Sequence, residues 1–599
     1  MQNPDIQSML DRFRRGEIDR RSFITRAVAS GLTFGAAGML AGSVAAQDAT
    51  PGASAESSGE VIKSITREEY FAQLRQTFPL EAPETPGGEL IVTYSKDVMT
   101  LNPILRTDVY SGYITQLLFE GLVGTSPIDG SVVPSGVADR WEIGADGVTY
   151  TFFLNPNATW EDGTPITADD VIFTFDSVLA DDSPSVRKST VEGYLASYSK
   201  IDDHTLELVS FTPSAVFLNK TALLFEILPK HIWGDIAASE FPTDAGSTGQ
   251  DPTRVVASGP FRFVEWQMGD HLTLERNPNY WDQENAATLD RYIFDVKKED
   301  TTVISALKTG ESDVCQVPAT FARELEASNP ELQIAQVDTA SFTFYVLNQN
   351  PDRSPLFTDV RVRQAMYYAI DRDVYANTIL DGFATRADGP QAVLSPAYAP
   401  DRMNTIYEVD PEKAKSLLEE AGWVDSDGDG IREKDGVKFS FDMLYDEGEV
   451  SYTQGIPYIQ QCWREIGIEL IAAATPFTVI LDRINTSDLD AVLIGFSWGF
   501  DGIQGDMFRC NATSPNGFNI ASFCSPEYDQ LDAEASAELD PEKRREIMIE
   551  AANIVNDEQA VGVIAYPKNI YGGSPRLRNF LPQGYLPYWW VRYAWFSAE

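Results

Sequence analysis

Histidine and cysteine are scarce. The chain carries 3 His and 4 Cys in 599 residues, too few for a dense zinc or disulfide framework. Positive charge is also short, with 46 Lys and Arg against 90 Asp and Glu and a formal net charge of −44. A surface so acidic repels phosphate backbones and anionic lipid, which argues against nucleic acid as a partner. His204, His231 and His271 stand apart, with no His-x-x-x-His or His-Glu-x-x-His spacing. Gly-x-Ser-x-Gly, Walker and dinucleotide glycine patterns are missing. Carboxylates are so numerous that no one pair stands out as a glycosidase acid and base, although counting does not exclude one.

Hydrophobic residues make up 43% and charged residues 23%, a globular composition. At roughly 150 residues per domain the length suggests about three to four domains. The first 46 residues read as an export address. Asp19-Arg20-Arg21-Ser22-Phe23-Ile24 is a twin-arginine motif, followed by a mild Gly/Ala-rich stretch and the small residues Val44-Ala45-Ala46. The alternative is an uncleaved membrane anchor. Leu40-Ala41-Gly42-Ser43 has serine where lipidation needs cysteine, so no lipid is expected. The product is expected outside the cytoplasmic membrane, periplasmic or extracellular.

Residues 47–87 read as a linker with one short helix from Thr66 to Phe78. Glu89–Tyr94, Tyr150–Leu154 and Thr205–Val209 alternate like half-buried strands. Thr167 with Asp170, Asp410-Pro411 and Asp540-Pro541 mark helix starts, and Gly422 a helix stop. In an export compartment disulfides persist. Cys510 and Cys524, with thirteen residues between them, are expected to close a loop, a constraint of roughly 3 kcal/mol on the unfolded chain. Cys315 and Cys462 are expected to be buried free thiols.

The stretch from Asp425 to Asp435 has metal character. Asp425, Asp427, Asp429 and Glu433 fall at positions 1, 3, 5 and 9 of an EF-hand-like loop, with Gly430 at the sharp turn and the Ile431 carbonyl at position 7. Gly436 stands where the bidentate Glu belongs, and Asp435 is an imperfect substitute. The loop reads either as a structural Ca²⁺ site or as an acidic turn that binds nothing.

Several segments, in unbroken order from about Gly88, resemble the family 5 solute-binding proteins of ABC importers, the peptide- and nickel-binding group. They are Leu101-Asn102-Pro103 and Leu118-Phe119-Glu120-Gly121-Leu122; Ala158-Thr159-Trp160, Asp162-Gly163 and Thr167–Val171; and Ser258-Gly259-Pro260-Phe261, Asn277-Pro278 and Tyr280-Trp281. Asp359–Ala365, Ile370-Asp371-Arg372, Ala421-Gly422-Trp423 and Ile466-Gly467-Ile468 follow. The resemblance implies an α/β periplasmic-binding-protein-like fold of two hinged lobes, the first divided into two domains. The boundaries expected are 88–117, 246–338 and 557–599 for the first lobe's core, 118–245 for its accessory domain, and 339–556 for the second lobe.

The resemblance further implies a monomeric, non-catalytic protein that captures a peptide and passes it to a membrane permease with its ATPase. The open alternatives are an oligosaccharide, nickel chelate or other organic solute on the same fold, and an exported hydrolase built on a carboxylate pair. Peptide binders of the family pair the peptide α-ammonium with a Trp-x-x-Asp carboxylate, which Trp498-Gly499-Phe500-Asp501 matches. The following Gly502–Asp506 departs from the family's Tyr-acid-Pro. By the same resemblance Thr107, Asp108, Val109, Ser258, Gly259, Tyr345 and Asn348 are expected to contact ligand, chiefly through the backbone.

Overall fold

The first helix starts where a capping box allows it. The Thr66 hydroxyl accepts from the Glu69 N–H, Glu69 returns a carboxylate to the Thr66 N–H, and the helix runs Arg67–Thr77. In the computed structural model, residues 61–83, 86–513 and 517–598 are described. The expected export address and residues 47–60, 84 and 85 of the expected linker lie outside them. Within the described residues the linker reading is corrected from Ile62 onward. Ile62 and Lys63 pair with Ile143 and Glu142, and Tyr70, Phe71 and Leu74 are buried. Apolar residues at helical spacing, not chain composition, decide that segment.

The chain divides into two compact units. The first holds the residues up to Cys315 with 576–581 and 588–599; the second holds 316–575 and 582–587. Besides two two-stranded ladders, the first unit contains strands of two larger sheets. One is antiparallel, ordered Ile62–Lys63, Ala138–Ile143, Thr149–Leu154, Thr205–Ser210, Leu195–Asp202. In the other, Glu89–Tyr94 runs parallel to Arg291–Val296. The latter pairs antiparallel with His271–Arg276, which in turn pairs with Phe261–Gln267. Val314 and Cys315 extend this sheet opposite Val92 and Thr93.

Charge is buried in this unit. Arg67 Nη2 lies 2.6 Å from Asp282, and its guanidinium packs 4.8 Å from the Phe71 ring and 4.5 Å from the Trp281 ring. Tyr280 donates its hydroxyl to Glu120 at 2.6 Å, and Arg592 approaches the same carboxylate at 3.8 Å. Burial alone would pull both arginines down; the neighbouring Tyr280 and acids Glu120 and Asp282 hold them up.

The second unit is built on a mixed sheet ordered Glu469–Thr475, Ser440–Asp446, Ala491–Ser497, Ser341–Leu347, Gly562–Gly573. The first three strands are parallel and the last two join antiparallel. Along Ser341–Leu347 the side chains alternate between two cores: Phe342, Phe344 and Val346 on one face, Tyr345 and Leu347 on the other. Asp410 and Asp540 cap the helices Pro411–Glu420 and Pro541–Asp557. The expected boundaries at 338 and 557 are corrected here. Gln333–Asp338 pairs over six residues with Gly573–Lys568, and Gly562–Gly573 also pairs with Ser341–Leu347, so both strands belong to the second unit. Cys510 and Cys524 form a disulfide, with a Cα–Cα distance of 4.4 Å. Cys315 is a buried free thiol, whereas Cys462 is half-buried, because its helix Val450–Glu465 turns only one stripe inward.

Arg67→Ala leaves Asp282 buried without its cation and is expected to cost about 3–5 kcal/mol, read as a lowered urea midpoint. Adding Asp282→Ala should recover much of that loss. An unchanged midpoint for Arg67→Ala would show the pair to be dispensable.

Candidate functional site

The Leu-Asn-Pro turn leads into the helix Val109–Leu118, and Asp108 is its N-cap. Asp108 accepts from the Ser111 N–H at 2.8 Å and the Ser111 hydroxyl at 2.6 Å, and the Ser111 hydroxyl oxygen accepts from the Met99 N–H at 2.8 Å. The Asp108 carboxylate is thus committed locally. Thr107 is exposed and Val109 is 60% exposed, so the surface at this turn is offered by those two residues.

Ser258 and Gly259 do different work from that expected. Ser258 is 1% exposed. Both N–H groups donate to the Leu118 carbonyl, at 3.0 and 2.8 Å, and the Ser258 hydroxyl oxygen accepts from the Glu120 N–H at 2.8 Å. A Cβ at Gly259 would stand 2.5 Å from the Leu117 carbonyl oxygen. The Ser-Gly pair lets one backbone lie against another, and its donors are already used inside the unit.

In the second unit Tyr345 is packed edge-on against Trp463, with ring centroids 5.1 Å apart. Asn348 is buried; its amide donates to the Leu489 carbonyl at 2.9 Å and its carbonyl accepts from the Asn350 N–H at 3.0 Å. Both serve the core, because Tyr345 lies on a central strand of its sheet and Asn348 directly follows that strand.

The Trp498–Asp501 turn is accessible and held in place. Asp501 is half-buried and accepts from the Ile503 N–H at 3.0 Å. Trp498 Nε1 donates to the Ile503 carbonyl at 2.6 Å. Gly502 takes φ +76°, a region that disfavours any side chain, and its carbonyl accepts from the Gln391 amide at 3.1 Å. Asp501 caps its own turn and keeps acceptor capacity beyond that bond. Its charge also reaches Arg544, where burial pulls the guanidinium down and Asp501 and Glu538 oppose it. Trp498 and Phe496 adjoin Phe518 at centroid distances of 6.2 and 5.8 Å, and Phe518 is 55% exposed. Phe518 was not legible as a site residue, since it is twenty residues from Trp498 and only the fold brings the rings together.

Residues 132–519, more than half the chain, match the family described as bacterial extracellular solute-binding proteins, family 5 Middle. The chain belongs to that family. It is 28% identical over 485 residues, 81% of this chain and 87% of the relative, to the oligopeptide-binding protein AppA of Bacillus subtilis (strain 168). It is 25% identical over 542 residues, 86% of this chain and 94% of the relative, to heme-binding protein A of Haemophilus influenzae. Among solved structures it resembles that of Bacillus subtilis AppA in complex with a nonapeptide, with TM-score 0.66 and 27% identity, covering 86% of this chain and 100% of that one.

In this family 5 chain the acidic loop gathers only part of its expected ligand set. The carboxylates of Asp425, Asp427 and Glu433 offer oxygens within 4.8 Å of one another. Asp425 accepts from the N–H groups of Gly428 and Gly430 at 2.7 and 3.0 Å. Asp429 instead pairs with Lys438, whose ammonium also lies 3.3 Å from Asp427. The Ile431 side chain is buried, and Asp435 sits at φ +52° in the hairpin turn between Glu433–Lys434 and Val437–Lys438. Neither Asp429 nor Asp435 joins the cluster, because the hairpin brings Lys438 to the loop, a contact that EF-hand spacing does not include.

Hydrolysis is not the chemistry of the family matched, which binds solute. Among the described residues no helix is long and apolar enough to cross a membrane.

Proposed function

We propose that this chain is the capture component of an ABC importer for peptides, exported by the twin-arginine route without lipid attachment, and acting as a monomer. It hands its solute unchanged to a membrane permease and its ATPase. The observation that carries the peptide reading is the Trp498-x-x-Asp501 turn, set in a chain whose full-length relative AppA is named an oligopeptide-binding protein. A carboxylate fixed on a pinned turn beside exposed aromatic surface suits an ammonium group carried on an apolar body. The Thr107–Val109 edge supplies backbone for an extended ligand.

The decisive experiment is mass spectrometry of whatever stays bound when the exported protein is purified and then gently unfolded. Intact peptides support the proposal. A sugar, a metal chelate or a tetrapyrrole would replace the peptide and keep the capture role; cleaved products formed at catalytic rates would defeat both. Asp501→Ala is expected to weaken a peptide with a free amine by about 2 kcal/mol or more and to leave its N-acetylated form nearly unaffected. Equal affinities of wild type and variant for the free-amine peptide would remove Asp501 from the site.

The acidic loop is proposed to hold a structural Ca²⁺ through Asp425, Asp427 and Glu433, displacing Lys438 from Asp427. EDTA is then expected to lower the melting temperature, and added Ca²⁺ to restore it. A melting temperature indifferent to both leaves Lys438 as the loop's cation.

A further inference from the structure

After the strand Thr149–Leu154 of the antiparallel sheet the chain makes a turn at Trp160–Thr164. The Trp160 N–H donates to the Thr164 carbonyl at 2.8 Å, and the Gly163 N–H to the Trp160 carbonyl at 2.9 Å. Trp160 is fully buried and anchors the turn. Glu161 then ties the turn to two distant segments of the first unit. Its N–H donates to the Ala257 carbonyl at 2.8 Å, and its backbone carbonyl accepts from the Asn279 amide at 2.8 Å. Its carboxyl Oε1 accepts from the Ala257 N–H at 3.1 Å.

The second carboxyl oxygen is placed differently. Oε2 is enclosed, and no donor among the described residues reaches it. The charges around Glu161 do not relieve this. Asp162, on the same turn, accepts from the Thr164 N–H at 2.9 Å and pairs at 2.9 Å with His231 of the short helix Lys230–Trp233. Arg262 on Phe261–Gln267 pairs at 2.7 Å with Glu275 on His271–Arg276. That guanidinium is therefore already matched, while Asp162 and Glu275 repel a further negative charge. The segments at Ala257 and Asn279 bring an N–H and a side-chain amide. Burial pushes the Glu161 carboxyl up from its ordinary 4.5 to about 6; Asp162 and Glu275 add to the rise, and the Ala257 N–H and Arg262 oppose it.

We propose that Glu161 is a proton-operated latch within the first unit. Neutral, it keeps the Trp160–Thr164 turn fastened to the segments at Ala257 and Asn279; ionised, it favours release of that contact to water. A neutral carboxyl still accepts the Ala257 N–H and costs little to enclose. A carboxylate needs donors at both oxygens, and enclosure denies them to Oε2. Every opening that gives the carboxyl to water is thus favoured as pH rises. Since the folded value lies above the ordinary one, the latch is fully closed below about 4.5 and weakest above about 6. The inference concerns the first unit alone and does not depend on which solute the chain captures.

Asp313, which accepts from the Ile91 N–H at 2.9 Å, is also raised by burial to about 6. The latch is therefore read locally and against a variant in which only Glu161 changes. The test follows hydrogen exchange of the Ala257 amide in the full chain, from about pH 4.5 to about pH 7.5, with each rate divided by the intrinsic rate at that pH. Wild type is expected to lose protection there by up to roughly 30-fold, the factor that the rise from 4.5 to about 6 implies. Glu161→Gln keeps the side-chain shape without the titration, and its protection should stay level. The melting temperature of wild type relative to the variant should fall over the same range.

A difference between wild type and variant that does not change with pH overturns the latch. So does a wild type that gains protection as pH rises, which would mark Glu161 as an ordinary paired carboxylate. Should Glu161→Gln fail to fold, wild-type exchange decides alone. Loss of Ala257 protection centred near pH 6 supports the proposal, and level protection overturns it.

Discussion

Burying charge in pairs is the constraint on which the first unit depends. Arg67 with Asp282, and Arg592 with Glu120 and Tyr280, come from parts of the chain far apart in sequence. Each ion is tolerable out of water only because the others are present. Through them the first helix, the turn after the helix Val109–Leu118, the Tyr-Trp segment and the C-terminal stretch are obliged to meet. The motifs that look most like signatures, Leu118–Leu122, Ser258–Phe261 and Tyr280-Trp281, turn out to be the pieces of this joint. In this chain they build the frame.

Against that background the frame consumes most of the residues expected to contact solute. Asp108, Ser258, Gly259, Tyr345 and Asn348 are all engaged in caps, backbone contacts or core packing. Asp501 retains acceptor capacity after closing its own turn. A turn pinned by Trp498 and Gln391 presents that carboxylate. It is placed on supported backbone, which is what holding a ligand group in a fixed direction requires.

Much of the local structure was legible. Thr66, Thr167, Asp410 and Asp540 cap the helices expected of them, because a side-chain oxygen meets a backbone N–H two or three residues on whatever the distant chain does. Glu89–Tyr94 forms as read, since alternation of apolar residues is a property of the segment itself. The acidic loop was legible as acids and a glycine, but not the arrival of Lys438 from the far arm of a hairpin. Phe518 gave no sign in the sequence, being one aromatic residue in a stretch between two cysteines.

Composition, order of motifs and capping residues thus determined the family-level fold, the two cysteines that bond and the starts of most helices. These depend on near neighbours or on the sum of residue types. Only the tertiary structure decided where the second unit begins and which polar groups are spent on the frame. Those follow from pairings across hundreds of residues, where burial sets the cost of a charge, and no local pattern carries that information.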